Sequence, residues 1–136
     1  MATVIRPEIS KKSEWYLERH RYYELKHFCM QCSSWRKELQ NLDGWRARNL
    51  DTPVVHSPIS PTEETAIKRA FYMARLEMLS QAARETDEVI GVYILEGIIT
   101  GKSYDALNAL RRIPCCRDIY YELYRKFFYI LSNLRQ

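Results

Sequence analysis

Pro114 separates two helical patterns in the last third of the chain, Gly101 to Gln136, and that junction constrains the fold more than any other stretch. Ser103 suits the N-cap of the first pattern, with Asp105 in its first turn, where a negative charge meets the partial positive charge of the helix N-terminus. Ala106, Leu107 and Leu110 give this short helix an apolar side. Proline biases the preceding residue towards extended geometry, so Arg112-Ile113-Pro114 forces a break. A longer helix is expected beyond it, where Ile119, Leu123, Phe127, Ile130 and Leu134 recur at helical spacing and mark a buried stripe. Arg117, Asp118, Tyr121, Glu122 and Arg125 fall largely off that stripe. Helix, tight turn, helix is the geometry of a helix-turn-helix, whose second helix offers its first polar side chains to a DNA major groove.

A chain of 136 residues is expected to form one domain, with or without an appendage. Its hydrophobic and charged shares, 46% and 28%, are those of a folded globular protein rather than a disordered one. No apolar run is long enough to span a bilayer, and MATVIRPEISKK lacks the apolar stretch of a signal peptide. The expectation is a cytoplasmic protein that engages no membrane and keeps its four cysteines reduced. Charge is unevenly spread: residues 1–48 carry a net +4, residues 49–100 a net −4 and residues 101–136 a net +4. A basic end beside an acidic middle is the electrostatic footprint of a nucleic-acid binder, although a few arginines can also serve only to solubilise a helix.

The order of elements predicts an all-α fold with an N-terminal helical part over 1–48, a linker over 49–60 and a helix-turn-helix domain over 61–136. Met1 to Ser13 reads as a loose lead. In Trp15 to Leu42, Tyr22, Leu25, Phe28, Cys29 and Cys32 share a helical face. Ser33-Ser34 interrupts and recaps the chain, with a continuous helix as the alternative, and Asp43-Gly44 closes the second helix. Pro53, Pro58 and Pro61 mark the linker, with Val54-Val55 a candidate extended segment. Ser60-Pro61-Thr62-Glu63 combines an N-cap, a first-turn proline and a capping-box glutamate. The helix it starts is expected to bury Ala66, Ile67, Ala70, Phe71, Ala74, Leu76, Met78, Leu79 and Ala82. Thr86 is read as the N-cap of a further helix, apolar on more than one side, that ends at Gly97 or takes Gly101 as its C′ residue. Its β-branched residues make a strand conceivable, but the capping signal argues against one.

The Pro-capped helix, the pattern Thr-Asp-Glu-x-Ile-x-x-Tyr-x-x-x-Gly, and the terminal Ser-Tyr…Ile-Pro-Cys…Tyr-Tyr…Tyr-Arg-Lys-Phe-Phe-x-x-Leu resemble small phage-associated transcriptional regulators of Gram-positive bacteria. These are the ArpU- and RinA-like proteins, whose C-terminal part is similar to region 4 of sigma-70 factors. The resemblance covers roughly residues 57–134. It implies a C-terminal three-helix module that contacts promoter DNA, with Ser103 to Arg111 as positioning helix and Cys116 to Leu134 as recognition helix. The turn here is Arg-Arg-Ile-Pro, where the family more usually has Leu-Gly-x-Ser, and Ile98 and Ile99 stand in a segment the family passes through directly.

The candidate DNA-binding residues are Ser103, Arg112, Cys115, Cys116, Arg117, Asp118, Tyr121, Arg125 and Lys126. Arginine can bind guanine O6 and N7 in a bidentate way, and Arg117 sits in the first turn of the recognition helix. Arg125 and Lys126 suit phosphate, which gives affinity and register without sequence information, and Ser103 with its helix N-terminus suits phosphate too. The competing reading pairs Arg117 and Arg125 with Asp118 and Glu122 on a solvated face. Cys29 with Cys32, and Cys115 with Cys116, are read as small buried hydrophobes rather than metal or redox centres, because neither zinc-knuckle nor strand–helix context accompanies them. His20, His27 and His56 are isolated, and glycine is too scarce for a phosphate-cradling loop, so neither an enzyme nor a cofactor is expected. The expected partners are double-stranded DNA, together with RNA polymerase, another host protein or a second copy. The rival class is a phage-encoded adaptor or inhibitor of a host factor, for which Tyr104, Tyr120, Tyr121, Tyr124 and Tyr129 would build a protein interface.

Overall fold

The computed structural model describes residues 14–48 and 61–136, which form six α-helices and no strand. These are α1 (Arg19–Met30), α2 (Cys32–Arg48), α3 (Pro61–Thr86), α4 (Gly91–Thr100), α5 (Tyr104–Arg111) and α6 (Arg117–Leu134). The loose lead, the linker, the Val54-Val55 segment and the Ser60 cap lie outside the described residues.

α1 forms because Tyr22, Leu25, Phe28 and Cys29 share one side of a helix, and all four are buried, as is Cys32 beyond the break. The break falls at Gln31, two residues before Ser33-Ser34, so the chain has two helices here rather than one. α2 does not stop at Asp43-Gly44 but runs on to Arg48. A lone glycine costs a helix only about 1 kcal/mol relative to alanine, too little to end one by itself.

α3 begins at Pro61 as its first-turn proline requires, and it ends at Thr86 rather than before it. Thr86 is not an N-cap: it is buried, and its hydroxyl donates back to the carbonyl of Ala82 at 2.7 Å. The capping role falls one residue later. Asp87 Oδ1 accepts from the amides of Val89 and Ile90, both at 2.8 Å, and leads the chain into α4. The burial expected along α3 holds only for its end. Leu79, Ala82 and Ala83 are buried and Leu76 and Met78 half-buried, but Ala66, Ile67, Ala70, Phe71 and Ala74 are exposed. Thr65, Arg69, Tyr72 and Leu76 are half-buried instead, a stripe rotated away from the aliphatic one, and Tyr72 and Leu76 pack against the core.

α4 is a helix despite its β-branched content, running through Gly97 and ending at Gly101, whose φ of 71° is the left-handed conformation that glycine adopts without penalty. Its first residue, Gly91, lies so close to α3 that a Cβ there would collide with the carbonyl of Ala83. Ile90, just before α4, and Ile94 and Ile98 within it join the core, while Val89 and Val92 remain exposed.

α6 crosses α3, α1 and α4 and supplies the centre of the core. Its buried side is Tyr120, Phe127, Phe128 and Leu131; of the expected stripe Phe127 is fully buried, Leu123, Ile130 and Leu134 are half-buried against the core, and Ile119 is exposed. Buried tyrosines are tolerated because their hydroxyls find partners: Tyr124 Oη lies 3.0 Å from Tyr22 Oη on α1. Arg21, also on α1, closes the far end of α6 by donating to Ser132 Oγ, to the carbonyl of Ser132 and to that of Arg135, at 3.1, 3.1 and 2.9 Å. Helices on both sides of 49–60 therefore contribute to one continuous core, from Leu17 to Leu131.

Candidate nucleic-acid interface

The last three helices touch one another pairwise, so α5 and the turn after it are held between α4 and α6. α5 is built as its sequence predicts at the start. Ser103 is extended and its Oγ accepts from the amide of Ala106 at 3.3 Å. Its buried side is Tyr104 and Leu107, whereas Ala106 and Leu110 are exposed.

Tyrosines lock the junction. The amide of Tyr104 donates to Tyr121 Oη at 3.2 Å, and Tyr104 Oη donates to the carbonyl of Cys115 at 2.6 Å. Tyr121 is thus committed by its hydroxyl to the start of α5. The amides of Tyr104 and Ala106 are both engaged, which leaves less of the α5 N-terminus to hold a phosphate. Asn108 Oδ1 accepts from the amide of Ile113 at 2.8 Å, and Ile113 is buried beneath the turn. Neither Tyr104 nor Asn108 nor Ile113 was among the candidate residues. An asparagine late in a short helix is the only local signal that the turn needs a side-chain acceptor.

The turn spans 112–116 and presents Arg112, Pro114 and Cys116 to solvent. Arg112 has φ 53°, the single non-glycine residue with positive φ among those described, and its amide donates to the carbonyl of Asn108 at 2.9 Å. An L-residue with a Cβ pays roughly 1–2 kcal/mol for that conformation, which glycine would not. Cys116 is the N-cap of α6 but makes no side-chain cap bond, and Cys115 is half-buried against the core.

On α6, Arg117, Tyr121 and Arg125 recur every four residues and form one strip along the helix. Arg117 stands 3.9 Å from Asp105 on α5, with the two side chains 39% and 74% exposed, and its guanidinium carbon lies 5.9 Å from the Tyr121 ring centroid. The acid nearest Arg117 is therefore on α5, not Asp118 or Glu122. Arg125 is half-buried and forms no ion pair among the described residues, while Asp118 and Glu122 are exposed. Lys126 belongs to the opposite side of the helix, its Nζ 5.7 Å from the Trp15 ring centroid. Arg111 is drawn towards α4, donating to Glu96 Oε1 at 3.1 Å.

The cysteines of α1 and α2 lie far from this chemistry. Cys29 and Cys32 are buried in the core, and desolvation pushes both thiols up, away from the thiolate that metal binding or redox work needs. Among the described residues no helix is long and apolar enough to cross a membrane. Comparison with protein-family models, with curated proteins and with solved structures finds no match to this chain.

Proposed function

We propose that the chain is a sequence-specific transcription regulator of phage or prophage type that binds double-stranded DNA, with α6 as recognition helix and α5 as positioning helix. Arg112 is the observation that carries the reading. An exposed arginine held in the left-handed conformation, at a helix end where glycine is the ordinary residue, costs stability and points to a task outside the fold. It lies in the turn that leads into α6, whose early turns carry Arg117, Tyr121 and Arg125. The resemblance to sigma-70 region 4 supports the same assignment of roles.

The Arg117–Asp105 pair does not count against it. A solvent-exposed ion pair contributes about 0–1 kcal/mol, whereas a bidentate arginine–guanine contact discriminates by about 1–3 kcal/mol. A base edge outcompetes Asp105. Arg117→Ala is expected to weaken binding to the preferred site and to relax its sequence preference. Arg125→Ala is expected to weaken all duplexes alike and to lower the slope of log affinity against log salt by about 1. Unchanged affinity and slope in both variants would refute the role of α6.

A second reading, an adaptor or inhibitor that binds a host protein, is favoured by one specific observation. Ile67, Phe71 and Met73 on α3, Val89 in the turn before α4 and Val92 at its start are large apolar side chains left exposed. It predicts tight binding of a protein partner that survives Arg117→Ala.

A further inference from the structure

We infer that Asp105 is a specificity-determining residue: its carboxylate lets Arg117 take an uncharged base edge and turns it away from phosphate. The inference rests on the reading of α6 as recognition helix. Asp105 stands in the first turn of α5, and its Oδ2 lies 3.9 Å from Arg117 Nη1 on α6. The guanidinium carbon of Arg117 lies 5.9 Å from the ring centroid of Tyr121. Tyr121 Oη accepts in turn from the amide of Tyr104, the residue before Asp105. Arg117 is thus bordered by groups of two helices that are themselves tied together. An unbordered surface arginine loses much rotamer freedom on binding, and a bordered one has lost part of it beforehand. Among the described residues Arg117 makes no further ion pair, so its Nε–Nη2 edge remains for a pair of acceptors.

The charge of the acceptor decides which ligand Arg117 takes. Guanine O6 and N7 are uncharged, whereas a phosphate carries a full negative charge. A phosphate on Arg117 would place a second anion beside the Asp105 carboxylate. Salt does not remove that repulsion, because the Debye length of about 8 Å at physiological ionic strength exceeds the separation. A guanine meets no such repulsion and displaces at most an exposed ion pair. Asp105 therefore raises the free energy of the non-specific complex, in which Arg117 would meet phosphate, more than that of the specific one. Specificity is a difference of affinities, and destabilising the wrong complex enlarges it. A negative charge in the first turn of α5 also suits the helix N-terminus, but that role is indifferent to Arg117. The two roles therefore separate when Arg117 is removed.

The test is fluorescence anisotropy of the full chain in reducing buffer at several salt concentrations. Its two probes are the duplex that the wild-type chain enriches from a random pool and a scrambled duplex of the same composition. Asp105→Asn is expected to bind the scrambled duplex more tightly and to steepen its slope of log affinity against log salt by about 0.9, as one added phosphate contact does. The preference for the enriched duplex is expected to fall by at least about fivefold. Asp105→Glu keeps the charge and is expected to keep most of the preference. In an Arg117→Ala background, Asp105→Asn is expected to change neither slope nor preference. The Asp105 side chain is 74% exposed, so the helical circular dichroism of the variants is expected to match that of the wild type. Wild-type slope and preference in Asp105→Asn overturn the inference. So does a change of the same size with and without Arg117, which marks a general effect of charge. If either result accompanies an enriched duplex that Arg117→Ala no longer prefers, the inference falls and the DNA reading stands. A wild-type chain that enriches no duplex overturns both.

Discussion

The backbone amide of Tyr104 donates to the phenol oxygen of Tyr121 at 3.2 Å, tying the first residue of α5 to the second turn of α6. One helix's unsatisfied N-terminal donor is met by a side chain of the next helix, which ties α5 to α6 at their junction. Tyr121→Phe keeps the ring and removes the acceptor. It is expected to cost about 0.5–1.5 kcal/mol of stability, the net contribution of a single hydrogen bond, as read by urea denaturation. Its effect on DNA is expected to be a similar loss for preferred and random sites, since it positions the helix rather than reading a base.

Arg112 separates the needs of the fold from those of function. Arg112→Gly relieves the left-handed strain and is expected to raise stability by up to about 1 kcal/mol, the gain being trimmed by glycine's greater freedom in the unfolded chain. The same change is expected to lower DNA affinity. A variant that is more stable and binds less well would be hard to reconcile with a purely structural arginine, and urea midpoints beside fluorescence anisotropy measure the two quantities.

Gly91 tests how closely α4 lies on α3. A methyl group there runs into the Ala83 carbonyl, which belongs to backbone and cannot swing aside. Gly91→Ala is expected to destabilise the protein by about 1–3 kcal/mol, the usual range for overpacking, despite alanine's better helix propensity. A neutral or stabilised variant in thermal denaturation would contradict the close approach.

Asp87 gives the fold a pH dependence. The amides of Ile90 and Val89 donate to its carboxylate and hold it below its ordinary value, outweighing the small opposing effect of desolvation. A group whose folded pKa is lowered contributes stability that is complete above the unfolded value and is lost as pH falls through the folded one. The contribution is therefore whole at neutral pH and disappears below about pH 4. Asp87→Ala is expected to cost about 0.5–2 kcal/mol at neutral pH, as loss of a cap does, and to cost little in acid. Urea midpoints of the two proteins across that range should converge as the pH drops.

Much of this architecture is legible in residue order because local signals decide it. Pro61 starts α3, Ser103 caps α5, and Ile113-Pro114 parts α5 from α6, each through backbone chemistry confined to a few residues. The side that each helix buries is less legible. Along α6 the aliphatic residues and the tyrosines give two overlapping stripes, and Tyr120 and Tyr124 are taken inward because other elements supply partners and ring contacts. Along α3 an apolar pattern states only that a face wants covering, and Ile67 and Phe71 show that the chain's own helices leave that face bare. The positioning roles of Tyr104, Asn108 and Tyr121 depend on contacts across the turn that spacing alone cannot reveal. Arg112 was legible as a charge, but its left-handed backbone was not, because arginine carries no sequence signal for that conformation.

The most direct test of the central claim is selection of bound sequences from a pool of random duplex DNA at two salt concentrations, for the wild-type chain and for an Arg112→Ala/Arg117→Ala variant. The account predicts one enriched motif that persists at the higher salt for the wild type and is lost in the variant, since base contacts are less salt-sensitive than phosphate contacts. Uniformly weak, salt-erased binding by the wild type, or the same motif enriched by the variant, would contradict it.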